Sequence, residues 1–211
     1  MARVRVRQHV NPLSRKYQRP VVCPDWSLVY AAPHRPLHLD LGCARGSFLL
    51  ALAQQQPERN YLGLEIREPL VVEANERRRA LGLTNLYYHF CNVNIDLPRL
   101  LASLPAGVLD RVTIQFPDPW FKQRHGKRRL VQPSLVQALA TVLPAGGRVL
   151  LQSDVLAVAL EMRDRFLAQP AFQLTHPEPW LATNPLPVPT EREVATLAKG
   201  APVYRCQLVR G

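Results

Sequence analysis

The sequence predicts an α/β fold built on a doubly wound, mostly parallel sheet of seven strands. Three features lead there. From Leu37 onward, short apolar runs alternate with segments of helical periodicity, the pattern of strand–helix–strand units whose crossovers are right-handed. A polar residue closes each of the first five strand-like runs, which is where an open parallel sheet presents a ligand site. With 211 residues and 47% hydrophobic content, the chain has enough apolar surface for one sizeable core.

Taken in order, residues 37–42 (LHLDLG) read as a buried strand and 47–56 (SFLLALAQQQ) as a helix. Residues 61–65 (YLGLE) form the next strand, and 68–82 (EPLVVEANERRRALG) a helix closed by Gly82. A third strand follows in 85–92 (NLYYHFCN) and a fourth in 111–116 (RVTIQF). Pro133 opens a helix in which Leu135, Val136, Leu139, Val142 and Leu143 recur at helical spacing until Pro144. Residues 146–154 turn into the fifth strand, 155–169 form a helix, and 171–175 and 203–210 supply the last two strands. Five prolines make the first part of the connection between those last two an extended loop.

The formal charge is +11, with a pI near 10.2, which favours a polyanionic partner. Residues 1–20 carry six lysines or arginines and no acid, so residues 1–30 are expected to form a basic arm and 31–211 a single domain. No apolar run reaches the length of a membrane span, and the N-terminus lacks a signal-peptide core, so a soluble, cytoplasmic protein is expected. Cys23, Cys43, Cys91 and Cys206 are scattered without a CxxC pair, which suggests neither zinc nor a disulfide framework. His34 and His38 have a metal-like spacing, but Pro36 breaks any helix between them, and no metal site is expected.

The strand ends place Asp40, Gly42 and Gly46 after the first strand, Glu65 after the second, Asn92 after the third, Asp118 after the fourth and Asp154 after the fifth. The turn DLGCARG has Ala44 where a glycine is common and does not match a dinucleotide fingerprint. Glu65 is placed to accept two ribose hydroxyls, which suits any unphosphorylated ribose. After the fourth strand comes QFPDPWFKQRHGKRRL. Pro117 and Pro119 restrict Asp118 to little freedom, and Trp120 either packs beneath the loop or stacks on a base. Lys122, Arg124, Lys127, Arg128 and Arg129 follow at once, as a phosphate-binding run would.

The segments LDLGCARGSFL, YLGLEIR, QFPDPWFKQRHGKRRLVQP, LQSDV and PTERE, spanning residues 39–193, resemble the tRNA (guanine-N7-)-methyltransferase family of class I S-adenosylmethionine-dependent methyltransferases. The resemblance implies a seven-stranded sheet with its last strand antiparallel, S-adenosylmethionine as cofactor and tRNA as partner, with methyl transfer to N7 of a guanine in the variable loop. It assigns Asp40 to the cofactor's amino-acid end, Glu65 to the ribose and Asn92 to the adenine, with Gly42 beside them. Asp118 borders the cofactor and is the catalytic carboxylate, while Lys122 and Asp154 meet the target nucleotide. Thr190 and Glu193 form a capping box at a helix start, and the resemblance places them in the guanine pocket as well. Arg124, Lys127, Arg128 and Arg129 contact RNA. Two other readings compete: a methyltransferase acting on an exocyclic base amine, whose fourth-strand motif reads D/N-P-P-aromatic, and a non-catalytic RNA-binding protein on a methyltransferase scaffold. The order P-D-P-W and the basic run that follows favour the N7 reading.

Overall fold

The computed structural model describes residues 10–211. Seven strands form one sheet in the order β3–β2–β1–β4–β5–β7–β6: β1 Leu37–Leu41, β2 Asn60–Glu65, β3 Leu86–Phe90, β4 Leu109–Gln115, β5 Arg148–Ser153, β6 Phe172–Leu174 and β7 Tyr204–Arg210. The neighbours from β3 through β5 pair in parallel, and β7 runs antiparallel to both β5 and β6. The expected mixed sheet with an antiparallel last strand is therefore present. Strand order reverses at β1 and β4, which leaves a crevice beyond the carboxyl ends of those two strands.

The two faces of the sheet differ in chemistry. One face, with Leu39, Leu41, Leu62, Leu64, Val112, Ile114, Val149, Leu151 and Leu208, packs on α4 (Val93–Ser103), α5 (Pro133–Val142) and α6 (Leu156–Leu167). The other face carries Tyr61, Tyr88 and Leu150 beneath α2 (Ser47–Gln55) and α3 (Glu68–Ala80). Side chains alternate along a strand, so the residues between the apolar ones on β1, β4 and β5 share this second face. They are His38, Asp40, Thr113 and Gln152, all buried polar groups.

Helix α4 was not anticipated in the sequence. Pro98 lies within it, yet the helix forms because Asn92 caps it, accepting from the Asn94 amide at 3.2 Å, and because Val93, Leu97, Leu100 and Leu101 are buried on one side. The arm residues from 10 onward lie across this helix. The Asp96 carboxylate accepts from the Val21 amide at 2.9 Å, and Arg99 donates to the Val21 carbonyl at 2.6 Å. Trp26, in the short helix α1 (Trp26–Val29), and Tyr30 are buried in the core, and Trp26 donates to the Ser103 hydroxyl at 2.9 Å. Residues 1–9, with three of the arm's six cations, lie outside the described residues. No helix among the described residues is long and apolar enough to cross a membrane.

Candidate active site

A cavity of about 560 Å³ opens at the carboxyl ends of β1, β2 and β4. Asp40, Gly42, Glu65, Asn92, Asp118, Asp154 and Thr190 all line it, together with Arg128 from the basic run. Residues up to 150 positions apart in the chain thus share one wall.

The turn after β1 supplies backbone donors. Gly42, Ala44 and Gly46 all adopt left-handed conformations, with φ of 84°, 50° and 71°. Ala44 therefore stands where a glycine would be strain-free, at a cost of roughly 1–2 kcal/mol. The conformation aims its amide at Glu65 Oε2, 2.9 Å away. At Gly46 a side chain is also excluded by space, because a Cβ would lie 2.3 Å from the Tyr88 ring. The Tyr88 hydroxyl donates to the Gly46 carbonyl at 2.6 Å and locks the turn onto β3.

Asp40 is buried, and its Oδ1 accepts from the Thr113 hydroxyl at 2.6 Å. Burial pushes its carboxyl up to about 6, against the opposing pull of hydrogen bonds from Thr113 and Gln115. His38 lies behind it, 3.1 Å from the Thr113 hydroxyl through Nε2. Burial, with the nearby charges of Arg111 and Arg59, holds this imidazole well below its usual range, so it is neutral. The Thr113 hydrogen is spent on Asp40, so His38 carries its proton on Nε2 and donates it to Thr113.

Glu65 is buried and fully engaged. Oε1 accepts from the Arg67 amide and Nε, both at 2.9 Å, and Oε2 accepts from the Ala44 amide and the Arg67 guanidinium, also at 2.9 Å. Burial alone would lower the basicity of Arg67, but the bonds and charge of Glu65 and the charge of Asp118 override it, and the net shift is upward. Arg67, which the sequence reading did not single out, thus links two of the cavity's carboxylates. A vicinal diol replacing the Arg67 side chain on Glu65 would still leave the two backbone amides in place to orient the carboxylate.

Asn92 lines the cavity with its amide already in use. Its Nδ2 donates to the Pro12 carbonyl at 3.1 Å and to the Tyr17 carbonyl at 3.0 Å, holding the arm against the rim. Val10 and Pro12 consequently form part of the cavity wall.

The P-D-P-W loop is bracketed by two residues in the left-handed region, Phe116 at φ 49° and Trp120 at φ 42°. Such strain persists only where surrounding contacts over-determine it. Here the Phe116 amide donates to the Gln152 carbonyl at 2.8 Å, and the Trp120 carbonyl accepts from Arg129 at 3.2 Å. The Trp120 ring packs edge-on against His125 at 5.6 Å and lies 4.9 Å from the Arg128 guanidinium. Trp120 thus packs within the loop, and it also lines the cavity. The neighbouring aromatic, Phe121, lines the cavity and is 74% exposed, so its ring is open to a ligand there.

The basic run divides in two. Lys122, Arg124 and Lys127 are exposed. Arg129 instead pairs with Glu161 on α6 and anchors the loop, and Arg128 stacks on Trp120. Asp154 accepts from Arg192 Nε at 2.9 Å. Thr190 caps α7 (Glu191–Leu197), accepting from the Glu193 amide at 3.1 Å, which is one half of the expected capping box; the return bond to the Glu193 carboxylate is not made. The Glu193 side chain turns away from the cavity. It is buried and accepts from Arg205 at 2.8 Å, Asn184 at 2.8 Å and Gln152 at 3.2 Å.

Cys43 lines the cavity, but burial, with the charges of Glu65 and Asp40, pushes its thiol well above its usual range, which removes it as a nucleophile. Among the described residues no cluster of three or more His, Cys, Asp or Glu could hold a metal ion.

A family model described as "Putative methyltransferase" matches residues 34–206. A Synechococcus elongatus protein named tRNA (guanine-N(7)-)-methyltransferase is 67% identical over 210 residues, covering 100% of this chain and 98% of the relative. A Synechocystis protein of the same name is 60% identical over 210 residues, covering 100% and 99%. The chain belongs to the tRNA (guanine-N7-)-methyltransferase family. Among solved structures, TrmN from Thermus thermophilus superposes with a TM-score of 0.53 at 20% identity, covering 88% of this chain and 47% of that one. A precorrin-6y C5,15-methyltransferase from Geobacter metallireducens gives 0.53 at 15% identity, covering 83% and 80%. These two share the fold.

The donor set fits S-adenosylmethionine. A buried carboxylate at Asp40 suits an ammonium, the Glu65 carboxylate suits a ribose diol, and the cavity is of the size that takes a cofactor. When bound, that cofactor supplies an electrophilic methyl group on a sulfonium.

Proposed function

We propose that the protein transfers the methyl group of S-adenosylmethionine to N7 of a guanine in the variable loop of tRNA, at conventional position 46. The observation that carries this reading is the convergence of Asp40, Glu65 and Asp118 on one cavity whose wall continues into the loop bearing the exposed Lys122, Arg124 and Lys127. The names of the full-length relatives support it.

Asp40 would hold the cofactor's ammonium and Glu65 its ribose, with Gly42 letting the chain pass close beside them. Asn92 would border the adenine while holding the arm in the wall. Guanine N7 has an in-plane lone pair, so it forms the new N–C bond without losing a proton, while the electrons of the broken S–C bond stay on sulfur. No general base is needed. The purine becomes cationic as the bond forms, and Asp118, on a loop fixed at both ends, would face its N1 and exocyclic amine and stabilise that charge. Holding the reacting atoms in line supplies much of the remaining acceleration.

Thr190 and Asp154 line the same cavity and would meet the target nucleotide with Lys122. Glu193 would act from behind them by fixing α7. Arg124, Lys127 and Arg128 would lie along the phosphates, and Arg129 would hold the loop that presents them. Phe121 offers an open face on which a base next to the target can stack. With tRNA as substrate, the protein would work in the cytoplasm.

The direct test is incubation of the protein with methyl-labelled S-adenosylmethionine and unmodified tRNA, followed by nucleoside analysis. The expected product is 7-methylguanosine in the variable loop. Label on adenine, on a pyrimidine or on the guanine exocyclic amine would overturn the reading. Cofactor binding with no transfer to any RNA would instead favour the scaffold alternative.

A further inference from the structure

The sheet face that carries Asp40 also carries a continuous row of polar side chains to which the chemistry above gives no part. Gln115 closes β4, Gln152 lies opposite it on β5, and Arg205 lies opposite Gln152 on β7. Gln152 is wholly enclosed. Its Nε2 donates to Gln115 Oε1 at 2.7 Å and to Glu193 Oε2 at 3.2 Å, and its Oε1 accepts from Arg205 Nε at 3.2 Å. The row ends at Asp40 Oδ1, 3.4 Å from Gln115 Nε2, which is its longest contact.

The orientation of every amide in this row follows from the groups at its far end. A guanidinium can only donate and an ionised carboxylate can only accept. Arg205 therefore fixes the Gln152 carbonyl toward itself, and Glu193 fixes the Gln152 NH₂ on its own side. The second hydrogen of that NH₂ faces Gln115, which must answer with its carbonyl. The Gln115 NH₂ is then left pointing at Asp40. Turning either glutamine over would set carbonyl against carboxylate or NH₂ against guanidinium, a mismatch that burial makes costly.

We propose that Gln115 and Gln152 are positioning residues, which carry the orientation set by the Glu193–Arg205 pair to Asp40 and hold its Oδ1 by an N–H, so that Oδ2 is kept for the cofactor. This rests on the reading of Asp40 as the ligand of the cofactor's ammonium. It ties the cofactor end of the cavity to the base of α7, whose cap Thr190 lines the same cavity.

The consequence is specific. A change at position 152 reaches Asp40 only through Gln115. In Gln152→Glu the new side chain accepts but cannot donate, so Gln115 turns its NH₂ toward it and its carbonyl toward Asp40. The experiment measures S-adenosylmethionine binding by calorimetry for the wild type, Gln152→Glu, Gln115→Met and the double variant, with thermal unfolding recorded for each. With Gln115 present, Gln152→Glu should weaken binding about tenfold; in the Gln115→Met background it should weaken binding less than about twofold, a coupling within the range seen for residues in one network. A role in packing alone would move the unfolding temperature but give the same binding loss in both backgrounds. Equal losses, or no loss in either background, would overturn the proposal. Should Gln152→Glu not fold, Gln152→Met cuts the row instead of reversing it. The expected loss is then about threefold with Gln115 present and none in the Gln115→Met background, and equal losses again overturn it. Asp40→Asn separates the two claims: unchanged cofactor affinity in that variant rejects the reading of Asp40, whereas weakened affinity together with equal losses at 152 rejects only the relay.

Discussion

Asp40 carries its charge at a cost that can be measured. Burial raises its carboxyl from 3.8 to about 6, so the folded protein holds this proton more tightly than the unfolded chain does. A raised acid contributes stability below the unfolded value, and that contribution is lost as pH rises through the folded value. Stability from this group therefore falls between about pH 4 and pH 6. At roughly 1.4 kcal/mol per pH unit across that interval, the loss reaches about 3 kcal/mol at neutral pH. Asp40→Asn removes the titration while its carbonyl still accepts from Thr113 and Gln115. Urea denaturation should show the variant more stable than the wild type by about 2–3 kcal/mol at pH 7.5, with the difference vanishing near pH 4. The melting temperature should rise by about 4–12 °C at pH 7.5. S-adenosylmethionine should stabilise the wild type far more than the variant, since its ammonium compensates the buried charge. Other titrating groups are common to both proteins and cancel in the difference. A variant less stable than the wild type at pH 7.5, or a difference that does not change from pH 4 to 7, would refute the account of Asp40 as a charge held at the expense of stability.

Asp118→Asn preserves shape but removes the charge that complements a cationic purine, so kcat should fall by about 10²-fold or more while tRNA affinity changes little; a loss of affinity with normal kcat would assign the residue to binding. Replacing Lys122, Arg124 and Lys127 with alanine should lower the slope of log affinity against log salt by about 2–3, at roughly 0.7–0.9 per phosphate contact, and an unchanged slope would return the loop to an ordinary charged surface. Phe121→Ala should raise the KM for tRNA by about 5- to 100-fold without altering cofactor affinity, with Phe121→Tyr close to the wild type, if a base stacks on the ring. Arg205→Met leaves Glu193 buried without its cation and should destabilise the protein by about 3–5 kcal/mol in denaturant titration.

The strands, most helices and the line of strand-end residues were legible because each depends on local pattern: apolar runs for buried strands, helical spacing between them, and a polar residue where each run stops. Helix α4 was hidden by Pro98, which argues against a helix unless Asn92 is recognised as its cap. The part played by Asn92 depends on carbonyls of Pro12 and Tyr17, more than 70 residues away, and no local pattern reports it. Arg67 looked like any other arginine, yet it pairs with Glu65 within the field of Asp118, and Arg129, expected in the sequence to contact RNA, pairs with Glu161. Gln115 and Gln152 did leave a signal. Each is polar at the end of a run otherwise buried, and a buried amide requires partners, although the sequence does not say which. Phe121 left another, a large aromatic between Trp120 and a run of cations.

The chain carries 27 lysines and arginines against 16 acids, and where the acids are used gives the charge excess its direction. Asp96, Asp154, Glu161 and Glu193 are paired with arginines that fix helices and loops in place. Glu65, at the cavity floor, is paired with Arg67, and Asp40 beside it is buried on hydrogen bonds from Thr113 and Gln115. The exposed cations that remain include Arg15, Lys16 and Arg19 on the arm and Lys122, Arg124 and Lys127 on the loop after β4. Val10 and Pro12 of the first segment and Phe121 and Arg128 of the second line the same cavity, so both segments that bear these cations reach its wall. The buried carboxylate of Asp40 thus faces the place where a cationic sulfonium cofactor would enter, while exposed cations lie on the segments that reach the rim, where a polyanion would settle. One uniform field could not favour both ligands. Separating the signs across the cavity's depth lets each be attracted to its own place, and puts a phosphate chain at the rim without drawing it onto the carboxylates below.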